Sequence, residues 1–401
     1  NDVADSGANQ VAGANNDLDS AFSNTVSGDT NAVTDSSNNQ VTGDNNDLDL
    51  AFGNTVGGST NAVTQSSNNQ VSGDNNDLDL AAGNTVGGTT NVVNQSSFNT
   101  VAGTTNNVAD DSNNNQVAGQ SNDLDRAQAN TTAGIGNQVT DSNANQVSGV
   151  NNDLDLAFSS TVSGDTNTVT SSSNNQVTGT TNDLDLVFDS TVSGNTNAVN
   201  QVSSSQVSGD NNDLDRVVSS TISGTGNAVT DSNFNTVGGS GQDIDLSNNN
   251  TVGGLQNVLT SANQNQVAGS LNQVIQANEN TVSGASNNVN LSNRNTVTGT
   301  LNQVLNGSDE NTVAGNANNL NQSTQNTVAG MNNDLDLADK NQVAGNANVV
   351  NDSDQNTVSG DRNDLLTSNN NQVAGFMNDV DASDRNTIAG GNNTVNDSNS
   401  N

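Results

Sequence analysis

Aliphatic residues in this chain recur singly, each set between polar neighbours. Val56 and Val63 are followed by Val71 and Leu78, with Asn54, Asn61, Asn69 and Asn76 each two residues ahead. Gly58 and Gly73 stand two residues after Val56 and Val71. Aligned, these residues give the frame N-[TQ]-V-x-G-x-x-N-x-[VL] and five looser residues, a period of 15. About 26 copies run in register from Asn9 to Asn401, and residues 1–8 read as the second half of a coil. A fixed period of this kind decides the architecture before any local reading does.

Each copy holds two short alternating segments, N-x-V-x and N-x-[VL]-x. Alternation with period two predicts strands with one buried face. The Ser/Asn/Gly-rich remainder and the G-x-x-N between the segments predict turns. The expected fold is all-β: a β-solenoid of about 26 coils, 15 residues and two short strands per coil, in a single repeat domain over residues 1–401. The first, third, eighth and tenth positions of the coil should point inward. Stacked inward asparagines can hydrogen-bond the same amide in the coils above and below, which satisfies an otherwise costly buried group. The second position, always Thr or Gln, should form an outward ladder. Two copies before the last carry an extra residue, near Asn113–Asn114 and Asp309–Glu310, in the turn between coils. At strand spacing the stack would be about 125 Å long.

Composition sharpens this. Only 29% of residues are hydrophobic, 2% are aromatic, and Pro, Cys, Trp, Tyr and His are absent. Low hydrophobicity with a net charge of −37 also fits a disordered chain. Disorder, however, places no demand on Gly at every fifth position or on an aliphatic at every tenth. The acidity disfavours nucleic acid and anionic membrane as partners. No stretch is apolar enough to span a bilayer, and no charged-then-apolar leader opens the sequence. With neither His nor Cys, and no local break in the repeat, no catalytic constellation stands out.

A 30-residue rhythm overlies the first. Copies with D-[LIV]-D alternate with copies of the type N-A-V-T, giving outward pairs Asp47 and Asp49, Asp77 and Asp79, Asp153 and Asp155, Asp183 and Asp185. Such coils would lie about 9.6 Å apart. One reading is relief of like-charge repulsion along a ladder; the sharper one is a periodic site for a divalent cation such as calcium. The twelfth position accepts Leu50, Leu80, Asp35 and Arg126 and should be exposed. Phe22, Phe52, Phe158 and Phe188, two residues later, are expected to pack at a corner, the alternative being an apolar seam through which filaments bundle.

The run Val26-Ser27-Gly28-Asp29-Thr30-Asn31-Ala32-Val33 resembles the curlin repeat of bacterial curli subunits, Q-x-G-x-x-N-x-A, with Val in place of Gln and a shorter coil. A second resemblance is to the β-roll heads of trimeric autotransporter adhesins, although no heptad stalk follows. The curlin likeness implies an extracellular amyloid-like fibre of a biofilm matrix. Neither terminal segment carries a cap such as Pro, a Lys cluster or an amphipathic helix. The chain is therefore expected to be a structural subunit, secreted or at the cell surface, whose partner is itself, stacked head to tail and bundled laterally. A surface adhesin or ligand-binding rod is the alternative, with an ice-binding solenoid as a third class.

Overall fold

The computed structural model describes residues 1–400. They form β-strands and turns with no helix. The chain divides into two compact units, Asn1–Asn200 and Gln201–Asn401, and each by itself is a β-solenoid. Counted over both, the longer strand recurs 26 times, 13 times in each unit, so the 15-residue coil of the sequence is the coil of the structure.

Every coil is three-sided. In the coil that starts at Asn54, the long side is Thr55–Ser59 and the second is Ala62–Thr64. The third is a single bridging residue, Ser67, paired in parallel with Phe52 and Ala82. Corners lie at Thr60, Gln65 and Asn68, all with positive φ (61°, 46° and 57°). The sequence predicts two sides; the third escapes it because one residue between two corners has no alternation to reveal it. Strands pair in parallel with the next coil at an offset of one repeat, Thr55 with Gln70 and Ala62 with Asp77.

Inward positions follow from this path. Asn54, Val56, Asn61 and Val63 are buried, as are Asn69, Val71, Asn76 and Leu78. A fifth inward position, the thirteenth, was not anticipated. It holds only Ser, Ala or Val, for example Ser66 and Ala81, both about fully buried. The Ser66 hydroxyl donates to the Thr64 carbonyl at 2.7 Å and accepts the Ala81 N–H at 3.0 Å.

Gly58 lies inside the long strand rather than in the turn predicted for it, with φ of 112°. A Cβ placed there would stand 1.9 Å from the carbonyl oxygen of Gly73 in the next coil. The fifth position is glycine because one backbone rests directly on the next, and because only glycine adopts that φ without strain.

The extra residues lie in the turn between coils, as expected, but slightly earlier in it. Asp110 and Asp111 both have positive φ, and the register jumps from 15 to 16 between Asn107 and Ser112. Asn306 and Gly307 do the same in the second unit. Both insertions widen the twelfth-position corner, two or three residues before the positions read from sequence. That corner is exposed and carries no inward side chain, so lengthening it leaves every ladder in step.

One inward residue breaks the apolar rule. Thr132 replaces Val at a third position, is 1% exposed, and its hydroxyl has no hydrogen-bond partner. Replacing Thr132 with Val removes an unpaired buried hydroxyl at almost constant volume. Stability should rise by about 1 kcal/mol, read from the denaturant midpoint; an unchanged or lower midpoint would show that the hydroxyl is satisfied.

Candidate functional site

Among the described residues, open depressions of the surface such as that at Thr251, Gln266 and Thr281 are lined by Thr, Gln, Ser and small side chains. What each unit offers is two internal amide ladders and a set of outer columns, one per outward coil position.

The internal ladders are bonded from coil to coil, with the first-position amide rung interrupted where Ser160, Ser190, Ser205 and Ser220 replace Asn. Asn61 Nδ2 donates to Asn46 Oδ1 at 3.0 Å, to the Gly73 carbonyl at 2.8 Å and to the Gly57 carbonyl at 3.3 Å. Its Oδ1 accepts both the N–H and the Nδ2 of Asn76, at 3.1 and 3.0 Å. Asn54 does the equivalent on the first-position ladder, through Asn39 at 3.1 Å and the Ser66 carbonyl at 3.0 Å. The predicted amide-to-amide rung is therefore present, and each Oδ1 additionally caps a backbone N–H of the next coil. Gln242, the sole departure at the eighth position, keeps one rung and loses the other: its Oε1 accepts from Asn257 at 3.0 Å, but its Nε2 donates to the Gly254 and Ser240 carbonyls, and only its backbone N–H reaches Asn227 Oδ1.

The acidic columns lie at the ninth and eleventh positions. Asp47 pairs in register with Ala62 and then Asp77; Asp153 pairs with Thr168 and then Asp183. Acid-bearing coils are thus about 9.6 Å apart, with Asp49, Asp79, Asp155 and Asp185 on the same strands. At some coils an intervening Asn donates to the carboxylate, as Asn107 does to Asp123 at 2.8 Å and Asn319 to Asp334 at 2.8 Å. Among the described residues no three acidic side chains converge as an ion cage would require.

Burial pushes the Asp77 and Asp153 carboxyls up, and Asp79 and Asp155 beside them add to the shift. Asp364 is raised by burial and then by Asp379 in the adjacent coil, where the alternation fails. Opposed to these are two cross-coil clamps. Arg126 Nε and Nη2 donate to Asp141 at 2.6 and 3.1 Å, and Arg216 holds Asp231 the same way. Hydrogen bonds from the guanidinium hold Asp141 and Asp231 below the usual carboxylate value.

The sign of the pH response follows. A raised carboxyl in the folded state favours folding at low pH, and that contribution is lost as pH rises through its folded value. Asp141 and Asp231 contribute above the unfolded value, 3.8, and lose it below. Thermal midpoints should therefore rise as pH falls from 7 toward the raised values of Asp77, Asp153 and Asp364, then fall below about 3.8. A combined Asp77→Asn, Asp153→Asn and Asp364→Asn variant should flatten the rise. An unaltered rise in that variant would show that these groups do not cause it.

The aromatic residues are not corner packing. Phe22, Phe52, Phe158 and Phe188 are 41–52% exposed. The thirteenth position faces in, so the fourteenth faces out. With exposed Leu50, Leu156 and Leu186 at the twelfth position, they line an apolar edge of the first unit. In the second unit the fourteenth position is Asn, Asp or Thr from Asn233 onward, and a third ladder forms outside the core. Asn263 Oδ1 accepts the Asn248 N–H at 2.8 Å, and Asp354 Oδ1 accepts that of Asp339 at 2.7 Å. The recurring Asx two residues before each frame asparagine is the sequence signal that could have found it.

The long-strand face differs from the rest. Two of its outward columns are the second position, Thr or Gln, and the fourth, which holds only Gly, Ala, Ser or Thr, as in Thr55, Gly57, Gln70 and Ser72. No family model matches this chain, and no curated protein matches it.

Proposed function

We propose that this chain is a structural subunit of an extracellular amyloid-like filament that grows by stacking coil upon coil. The observation that carries the reading is the coil-to-coil junction. Between Asn46 and Asn61, and again between Asn61 and Asn76, the same two bonds cross from coil to coil: the backbone N–H and the Nδ2 of one asparagine both donate to the Oδ1 of the other. The upper surface of one such coil is therefore complementary to the lower surface of another. A lone coil, by contrast, holds non-glycine corners such as Thr60 at positive φ, at about 1 kcal/mol each, and leaves its buried amides without partners. Coils fold only on other coils, which is the physics of templated growth.

The extracellular, biofilm-type setting draws its support from the curlin-like G-x-x-N spacing and from a cysteine-free, Asn/Gln/Thr-rich composition. The reading involves no catalytic centre, nucleic acid or membrane insertion, and its partner is a second copy of the chain. The purified chain should form long filaments with a meridional spacing of about 4.8 Å, visible by electron microscopy and fibre diffraction. A chain that remains monomeric by light scattering over a broad concentration range overturns the reading and favours a rod-like adhesin. Calcium tests the acidic columns. A faster assembly in calcium than in sodium chloride of matched ionic strength supports cation bridging of the Asp pairs; equal rates leave screening as the only effect.

A further inference from the structure

The 43 acids and six bases are not scattered over the coil. Acids occupy the sixth, ninth, eleventh, twelfth, fourteenth and fifteenth positions; bases occupy the seventh, twelfth and fifteenth. In all 26 copies the second and fourth positions carry no charge. These two columns are adjacent outward columns of the long strand, the widest side of the coil; the last residue of that strand, the sixth position, carries Asp44, Asp74, Asp165, Asp210 and Asp361 along one edge. A chain with net charge −37 thus keeps two adjacent columns of this side free of charge, with acids confined to one edge of it.

That face also has relief. The second-position column is the taller, Thr or Gln. The fourth-position column is low. Between them runs a shallow open trough, bounded in the second unit by Thr251, Gln266 and Thr281 on one side and Gly253, Ala268 and Ser283 on the other. The columns are two residues apart along the strand, about 6.6 Å.

We propose that this face mates with the same face of a second copy, the two stacks running parallel and related by a two-fold axis along the stacking direction. That symmetry brings each tall column over the partner's low column, so the Thr/Gln side chains of one sheet enter the trough of the other. A two-fold axis across the stack would instead set tall against tall. Neutral Thr, Gln, Ser, Ala and Gly suit a closely interdigitated sheet pair, and isologous contact is the commonest form of self-association. Charge selects the occupant. The D-[LIV]-D side sets carboxylates against a like-charged copy, whereas on the long-strand side this two-fold sends the sixth-position acids of the two copies to opposite edges and lets the uncharged columns approach. The area suffices: thirteen coils per unit, at about 60 Å² each, bury about 800 Å² per partner, the size of a standard stable interface.

The inference extends the filament reading and supplies its lateral contact. The test is a set of four outward substitutions on the low column, Ala118→Glu, Ser148→Glu, Ala268→Glu and Ala344→Glu, all at exposed positions. A control of equal charge places Gln65→Glu, Gln95→Glu, Gln276→Glu and Gln322→Glu at the twelfth-position corner. Circular dichroism establishes that each variant keeps the wild-type fold. In micrographs, wild type and control should form paired ribbons, and the face variant single stacks of about half the width and unchanged length. A face variant that pairs like wild type overturns the proposal. So does a wild type seen only as single stacks, which would leave the face to a flat non-protein lattice such as ice or crystalline polysaccharide. If no filament forms at all, sedimentation separates the two ideas. A wild-type dimer with a monomeric face variant sustains the pairing and removes the filament; a wild-type monomer removes both.

Discussion

Alanine at Gly254 should disrupt the solenoid, whereas alanine at the adjacent Gly253 should leave it intact or strengthen it. Both glycines belong to the same strand, Thr251–Leu255. Gly254 has φ of 116°, and a Cβ there would stand 1.9 Å from the Gly269 carbonyl oxygen and 2.9 Å from its carbon. The obstacle is backbone, so no side chain can turn aside, and the two coils must part. Parting also pulls the Gly269 carbonyl from Asn257 Nδ2, now 3.1 Å away. Gly253 faces the open trough, and nothing lies within 4 Å of its would-be Cβ. The expected losses are about 4 kcal/mol or more for Gly254→Ala. Gly253→Ala should gain up to about 1 kcal/mol through a less flexible unfolded chain. Denaturant midpoints and amide exchange in the flanking coils measure both. Equal effects of the two substitutions would refute the claim that the fifth-position glycine marks a backbone-on-backbone contact.

The contrast between these neighbours shows how far the sequence alone carries. An invariant Gly in every copy announces a backbone constraint, but its nature depends on the neighbouring coil, which local turn chemistry does not describe. Val56, Val63, Asn54 and Asn61 were legible because period-two alternation fixes which residues share a face. Ser66 was not. It sits between the positive-φ corners at Gln65 and Asn68, where alternation has no run to act on. Missing Ser66 also misplaced Phe52, since a residue beside an unrecognised inward position cannot be assigned an outward direction. The outward Asp47 and Asp49 were legible for the same reason as Leu48 between them. Whether such pairs gather around an ion depends on what the adjacent coils present, and the register sets Ala62 and Thr64 there. Charge segregation was visible in principle. It needed the long strand to be known as one side of a three-sided coil before two neutral columns became neighbours on one face.

Converting Asn152 to Asp should destabilise the chain strongly at neutral pH and much less in acid. The wild-type Nδ2 donates to Asn137 Oδ1 at 3.0 Å, to the Ser148 carbonyl at 3.2 Å and to the Gly164 carbonyl at 2.9 Å. Asp has nearly the same shape, yet it turns this donor into an oxygen facing three oxygens at a residue with no solvent exposure. The loss at pH 7 should be about 3 kcal/mol or more, the cost of an unpaired buried charge. Burial and the facing oxygens raise the folded-state pKa of the new carboxyl above its unfolded value of about 3.9. Its contribution to stability is therefore retained below that unfolded value and lost as pH rises through the folded one. Protonated, the carboxyl regains one donor of the original two, so the deficit relative to wild type should narrow at about pH 3.5 without closing. Asn152→Leu removes the same bonds with no titrating group, and its deficit should not change with pH. Comparing each variant with wild type at the same pH cancels the response of the 43 native acids. A deficit for Asn152→Asp that is flat from neutral to acid would mean that the amide nitrogen does not face the three oxygens. The ladder would then run the other way round, with Oδ1 and Nδ2 exchanged at every rung.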